Sequence, residues 1–183
     1  MGWLLFLGWC TKTPPTTTTT TTPATGEVVI EQKADERQTY QSKKDWFSIQ
    51  FPGTRSFQED IYGASVLFSS PTDENDKIRE NLAIAKKPMN KAYTLEEYYT
   101  LTKGDLEKQS GYTEIENTTI KINDLDAKKV IFTSSINSTK LQFEELLLIK
   151  DNFVYIITYT ATEATFDQYI QKVDEMIATL EIK

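Results

Sequence analysis

The chain has 183 residues, 20 basic and 27 acidic side chains, no histidine and one cysteine, for a formal charge of 20 − 27 = −7. Its length fits one folding unit with some extra sequence, and 39% hydrophobic residues are enough for a core. Without histidine or a second cysteine the chain cannot assemble a Ser-His-Asp triad, a Cys-His dyad, the usual zinc sites or an internal disulfide, and the acidic balance argues against nucleic acid as a partner.

Residues 2–9 are an unbroken apolar run that ends at Cys10 and is far shorter than the roughly 20 residues a membrane-spanning helix needs. The run has the dimensions of the apolar part of a secretory signal, although no basic residues precede it. Leu7, Gly8 and Cys10 resemble the lipobox of a bacterial lipoprotein, in which cleavage before the cysteine leaves its thiol to carry diacylglycerol; Trp9 departs from the small residue of that pattern. The expectation is a lipidated Cys10 and a protein anchored to the outer face of the cell membrane. Myristoylation of Gly2 fits poorly, because Phe6 stands where Ser or Thr is required.

Residues 11–25, TKTPPTTTTTTTPAT, are almost wholly Thr and Pro, a composition typical of extended, exposed stalks. Residues 11–44 together read as this linker plus a charged lead-in, with a short helix around Ala34 to Ser42 as one option, and the folded domain is expected from 45 to 183.

From Trp46 to Pro52 large apolar residues at 47, 49 and 51 alternate with polar ones, the period of a half-buried strand, which Pro52 and Gly53 end. Ala64 to Ser69 and Leu82 to Lys86 read as further strands around a solvated loop, PTDENDKIRE (71–80). Thr94 with Glu97 three residues later marks a helix start, and Leu95, Tyr98, Thr102 and Leu106 carry the helical spacing toward Gly111. Four strands are predicted next: Thr113 to Ile122, Ala127 to Ser135, Lys140 to Lys150 and Phe153 to Ala161. Asn123-Asp124 and Asp151-Asn152 supply residues that suit tight hairpin turns. The last strand is apolar on both faces, as a central strand should be. A final helix from Thr165 places Phe166, Tyr169, Ile170, Val173, Ile177 and Leu180 on one stripe. The predicted class is α+β, an antiparallel sheet with helices packed on its faces.

FSIQFP (47–52), LEEYY (95–99), NTTIKINDLDAKKVIFT (117–133), LLLIKDNFVYIITYTAT (146–162) and FDQYIQKVDEMIATLEI (166–182) follow one another in an order that resembles the PsbP-like family. That family includes the extrinsic PsbP subunit of photosystem II, and a Ran-binding nuclear-import regulator shares its fold. The resemblance implies an α-β-α sandwich and a noncatalytic domain that binds a protein partner or helps assemble a membrane complex. Residues 53–60, GTRSFQED, lack the tryptophan common at that point in the family, which points away from the photosynthetic branch and toward a generic lipoprotein of the same fold.

Few residues in the domain suggest chemistry. Asp73, Asn75 and Lys77 begin an EF-hand-like count that Lys77 breaks, with no glycine at the sixth place. Glu114, Glu116, Asp124 and Asp126 could supply paired carboxylates only if their environments split their pKa values, and strand-face and turn positions are the simpler account. Tyr98, Tyr99, Phe153, Tyr155, Tyr159 and Tyr169 fit core faces better than a ligand box. Asn117 and Asn137 head glycosylation sequons. The sequence therefore predicts no catalytic residues, cofactor or metal, a monomer, a membrane surface met through the lipid, and a protein partner met through residues 73–80 or an open sheet edge. The competing reading is a small-ligand binding protein or an enzyme using Asp, Glu or Tyr between sheet and helices.

Overall fold

The computed structural model describes residues 36–71 and 78–183. Cys10, the Thr/Pro tract and the Asp73, Asn75, Lys77 triplet lie outside the described residues. Strands β1 (Arg37–Ser42), β2 (Phe47–Pro52), β3 (Ser56–Ile61), β4 (Ala64–Ser69) and β5 (Asn81–Pro88) precede helix α1 (Leu95–Leu106). Strands β6 (Thr113–Ile122), β7 (Leu125–Ile136), β8 (Thr139–Lys150) and β9 (Phe153–Thr162) follow, then helix α2 (Phe166–Ile177) and the short β10 (Glu181–Ile182).

Seven strands form one antiparallel sheet in the order β3-β4-β5-β9-β8-β7-β6, and β1-β2-β10 form a second, three-stranded one. β9 is the middle strand of the large sheet, which explains its apolar residues on both faces. On one face Val66, Phe68, Ile84, Leu146, Ile157 and Tyr159 meet the small sheet through Phe47, Ile49 and Phe51, and meet α2 through Phe166, Val173 and Met176. On the other face Val130, Phe132, Phe143, Leu147 and Ile156 lie under Tyr99 and Leu106 of α1. The predicted α+β class holds, with a small sheet sharing one face with α2.

Three two-residue turns join β6 to β9 into a meander, and they are held by Asn123 (φ 50°), by Asn137 and Ser138 (φ 48° and 66°), and by Asp151 and Asn152 (φ 50° and 62°). Short polar side chains tolerate this left-handed backbone better than most. Thr94 and Glu97 form a reciprocal capping box at the start of α1, as their spacing predicts.

Four details differ from the sequence reading. The stretch Ala34 to Ser42 holds strand β1, not a helix, and its Tyr40 is buried between the sheets. Trp46 precedes β2 in a turn with φ 60°. β3 was not predicted, because SFQEDI has no apolar alternation; it is an edge strand exposed over most of its length. Helix α1 stops at Leu106, its last buried residue, and does not run to Gly111. Gly111 instead takes φ 69° in the turn into β6, where a Cβ would stand 2.8 Å from the Ser135 hydroxyl. Among the described residues, no helix is long and apolar enough to cross a membrane.

Candidate functional site

The strongest concentration of unusual polar groups is on β8, the strand beside the central one. Strand alternation sends Glu144 toward α2 and Glu145 toward α1, and both carboxyls are buried. Lys129 of β7 approaches Glu144 to 2.9 Å. Burial raises the Glu144 pKa, and the nearby Asp174 carboxyl of α2 adds to the rise while Lys129 opposes it. Glu145, 3% exposed, faces directly opposite Val130 and Thr158. Its Oε1 has no hydrogen-bond partner, and burial pushes its pKa well above the ordinary range, with Lys87 of β5 opposing weakly. Burial in turn lowers the pKa of Lys87. A carboxyl in that setting is most easily held neutral.

A second network fastens α1 to the sheet edge. The Tyr99 hydroxyl donates to Glu114, and Asn117 donates to both Tyr99 (2.9 Å) and Glu114 (3.4 Å). Lys103 lies 3.1 Å from Glu114. Burial would raise the Glu114 pKa, but hydrogen bonds from Tyr99, Lys103 and Asn117 outweigh it and hold the carboxyl below its usual range. Burial and the bond to Glu114 drive the Tyr99 pKa up. Lys128 adds a 2.8 Å ion pair to Glu96 and sits 4.9 Å from the Tyr99 ring centre.

At the opposite end of β3 from its turn into β4, buried Arg55 lies within electrostatic reach of Tyr159 and Glu80, and the Glu80 carboxylate accepts from the Ser70 hydroxyl at 2.9 Å. Arg79 donates to the Ser70 carbonyl. At the other end, the β1–β2 turn and the outer part of β3 enclose a cleft of about 250 Å³ lined by Ser42, Lys43, Asp45, Glu59 and Ser65, with Lys44 and Asp60 paired across it at 2.7 Å. Tyr40 donates to Glu59 from its floor at 2.8 Å.

The carboxylates singled out from sequence do not converge. Glu114 is opposite Phe132 near one end of β6, and Asp126 pairs with Lys121 near the other, at 2.9 Å. Glu116 accepts from Thr118 on the same strand. The aromatic set divides: Tyr155, Tyr159 and Tyr169 belong to the layer under α2, Tyr98 and Tyr99 to the layer under α1. Phe153 and Tyr155 lie under the Lys86 ammonium at 4.2 and 5.6 Å. Sequence reasoning passed over Glu144 and Glu145; adjacent acids inside an otherwise apolar strand, FEELLLI, were the available signal.

No protein-family model matches the chain, and no curated protein does. Solved structures match it in fold. Cyanobacterial PsbP from Synechocystis has a TM-score of 0.61 at 12% identity, covering 88% of this chain and 98% of that one. LpqN of Mycobacterium tuberculosis, a protein involved in cell envelope biogenesis, has a TM-score of 0.64 at 8% identity over 81% and 91%. A Pseudomonas aeruginosa protein of unknown function has a TM-score of 0.60 at 14% identity over 80% and 97%. At such identities the likeness is one of fold, and the fold of this chain is PsbP-like.

Proposed function

We propose that this chain is an exported lipoprotein, tethered to the outer face of the cell membrane through diacylglycerol on Cys10, whose PsbP-like domain binds a protein partner without catalysing a reaction. One observation carries the binding-module reading: both faces of the seven-stranded sheet are filled by apolar layers under helices and the small sheet, so polar chemistry is left to edges, turns and isolated buried groups. The carboxylates of β6 and its turn are spread along the strand. Fold neighbours that include a cyanobacterial PsbP and a protein of cell envelope biogenesis support an accessory role beside membrane assemblies. Two acyl chains give the stable anchoring that a single chain does not. An acidic chain favours a basic partner surface, in a contact that weakens with salt.

Fractionation of cells producing the full chain tests the tether. The wild type should partition with membranes and yield a Cys10 peptide carrying diacylglycerol mass, and Cys10→Ala should release the protein. An unmodified Cys10 with unchanged partition would discard the lipoprotein reading. Crosslinking on intact membranes should then capture one defined complex, with affinity falling between low and moderate salt.

A further inference from the structure

Lysines set deep in this domain come with carboxylates. Lys128, 8% exposed, holds Glu96 at 2.8 Å, and partly buried Lys129 holds Glu144 at 2.9 Å. Arg55 differs. It is 7% exposed, its Nη1 has no hydrogen-bond partner, and none of the ion pairs among the described residues includes it. Burial lowers its pKa, but a guanidinium keeps its charge at any depth. A buried cation without a partner is destabilising, and an apolar side chain of similar volume would serve a purely structural position better.

The surroundings define what would fit. Arg55 N donates to Pro52 O at 2.9 Å, which fixes the turn from β2 into β3. Strand alternation puts Arg55, Ser70 and Glu80 on the face of the large sheet that carries Phe68, Leu82 and Tyr159. Ser70 and Glu80 are joined twice, by Ser70 N to Glu80 O and by the Ser70 hydroxyl to the Glu80 carboxylate, each at 2.9 Å. Glu80 therefore acts on Arg55 electrostatically without closing an ion pair on it. The Tyr159 hydroxyl, also within reach, is committed to the Phe166 carbonyl at 3.2 Å. Arg79 brings a second guanidinium to the same strand ends, where it donates to the Ser70 carbonyl and, at 3.1 Å, to the Ser56 hydroxyl. Two cations against one carboxylate leave this corner at 2 − 1 = +1 in a chain of −7. That surplus matches one negative charge, whereas a dianion would meet Glu80 uncompensated. A planar carboxylate is the monoanion whose two oxygens fit the fork of a single guanidinium.

We propose that Arg55 anchors a binding site for a monoanionic carboxylate, one oxygen of which accepts from Nη1. The group can end a small organic acid or a peptide chain, since the chemistry is the same. The site does not depend on the tether at Cys10.

The test follows the arginine Nε–Hε signals of the full chain by NMR, which are few because the chain has three arginines. Sodium acetate, triglycine and triglycine amide are titrated at constant ionic strength set with chloride. Acetate should shift the Arg55 signal saturably, with a dissociation constant of roughly 1–50 mM for one charge-assisted contact. Triglycine should do so as well if chain ends are admitted, and triglycine amide should not. Acetate should also raise the thermal midpoint of the wild type and leave that of Arg55→Met unchanged, and Arg55→Lys should bind about fivefold more weakly or worse. An Arg55 signal that ignores both acetate and triglycine overturns the proposal and makes Arg55 a structural residue. So does an equal response to triglycine amide, or stabilisation by acetate that persists in Arg55→Met. The wild-type titration decides alone if Arg55→Met does not fold.

Discussion

Glu145 is the residue whose state the surroundings constrain most. Its carboxyl is enclosed at the centre of the large sheet, lacks a hydrogen-bond partner at Oε1, and has only Lys87 as an opposing charge. Burial lifts its folded-state pKa above the ordinary value near 4.5. The sign follows from proton linkage: its contribution to stability is complete below pH 4.5 and is lost as pH rises toward the folded value. Each unit of lift corresponds to about 1.4 kcal/mol once the pH exceeds the folded value. Glu145→Gln removes that titration, so the stability of the variant relative to wild type should climb between pH 4.5 and pH 8. Urea unfolding across that range measures it, and parallel pH profiles for the two proteins would refute it. Glu114 has the opposite sign. Its depressed pKa gives stability that is present above the ordinary value and is lost as pH falls, so a wild-type profile alone would mix the two effects.

Helix α1 shows how much an element can disclose in advance. Its start is written in Thr94 and Glu97, and the structure closes both bonds of the capping box. Thr94→Ala should cost about 1 kcal/mol, seen as a lower unfolding midpoint and faster amide exchange confined to the first turn. Undiminished protection there would mean that tertiary anchors such as Tyr99 and Lys128 carry the helix without its cap. Its end was harder to read, because a helix on a sheet stops where burial stops, at Leu106, and that depends on the partner surface. The same limit explains the strands. Apolar alternation or continuous apolar runs revealed β2, β4, β5 and the meander. β3 carries neither, and β1 holds only Tyr40 and Ser42 inward among polar residues, so tertiary pairing alone defines them. The start of β2 was misread for a related reason: Trp46 reads as one more apolar residue at the head of WFSIQFP, and only backbone geometry separates it from the strand.

At the scale of the whole molecule, Tyr40 joins the two sheets. Its ring contacts Phe47 within the small sheet and Phe57 and Phe68 in the large one, with centroids 5.4–5.9 Å away. Tyr40→Ala should cost roughly 3–5 kcal/mol, in the range of aromatic truncations in a core, and chemical denaturation would measure it. A loss below about 1 kcal/mol, the level of ordinary surface substitutions, would show that β1 is a dispensable fringe. The meander β6–β9 has another consequence, for the timetable of assembly. Its contacts are local hairpins across two-residue turns, the kind that close fastest. β5 lies between β4 and β9, and its pairing with β9, Asn81 opposite Thr160, is what joins β3, β4 and β5 to the meander. Synthesis delivers the chain amino terminus first. The strands made early can pair with one another, β1 with β2 and β3 with β4 and β5, but they join the meander only after β9 is made: the second half of the chain completes the sheet that the first half begins.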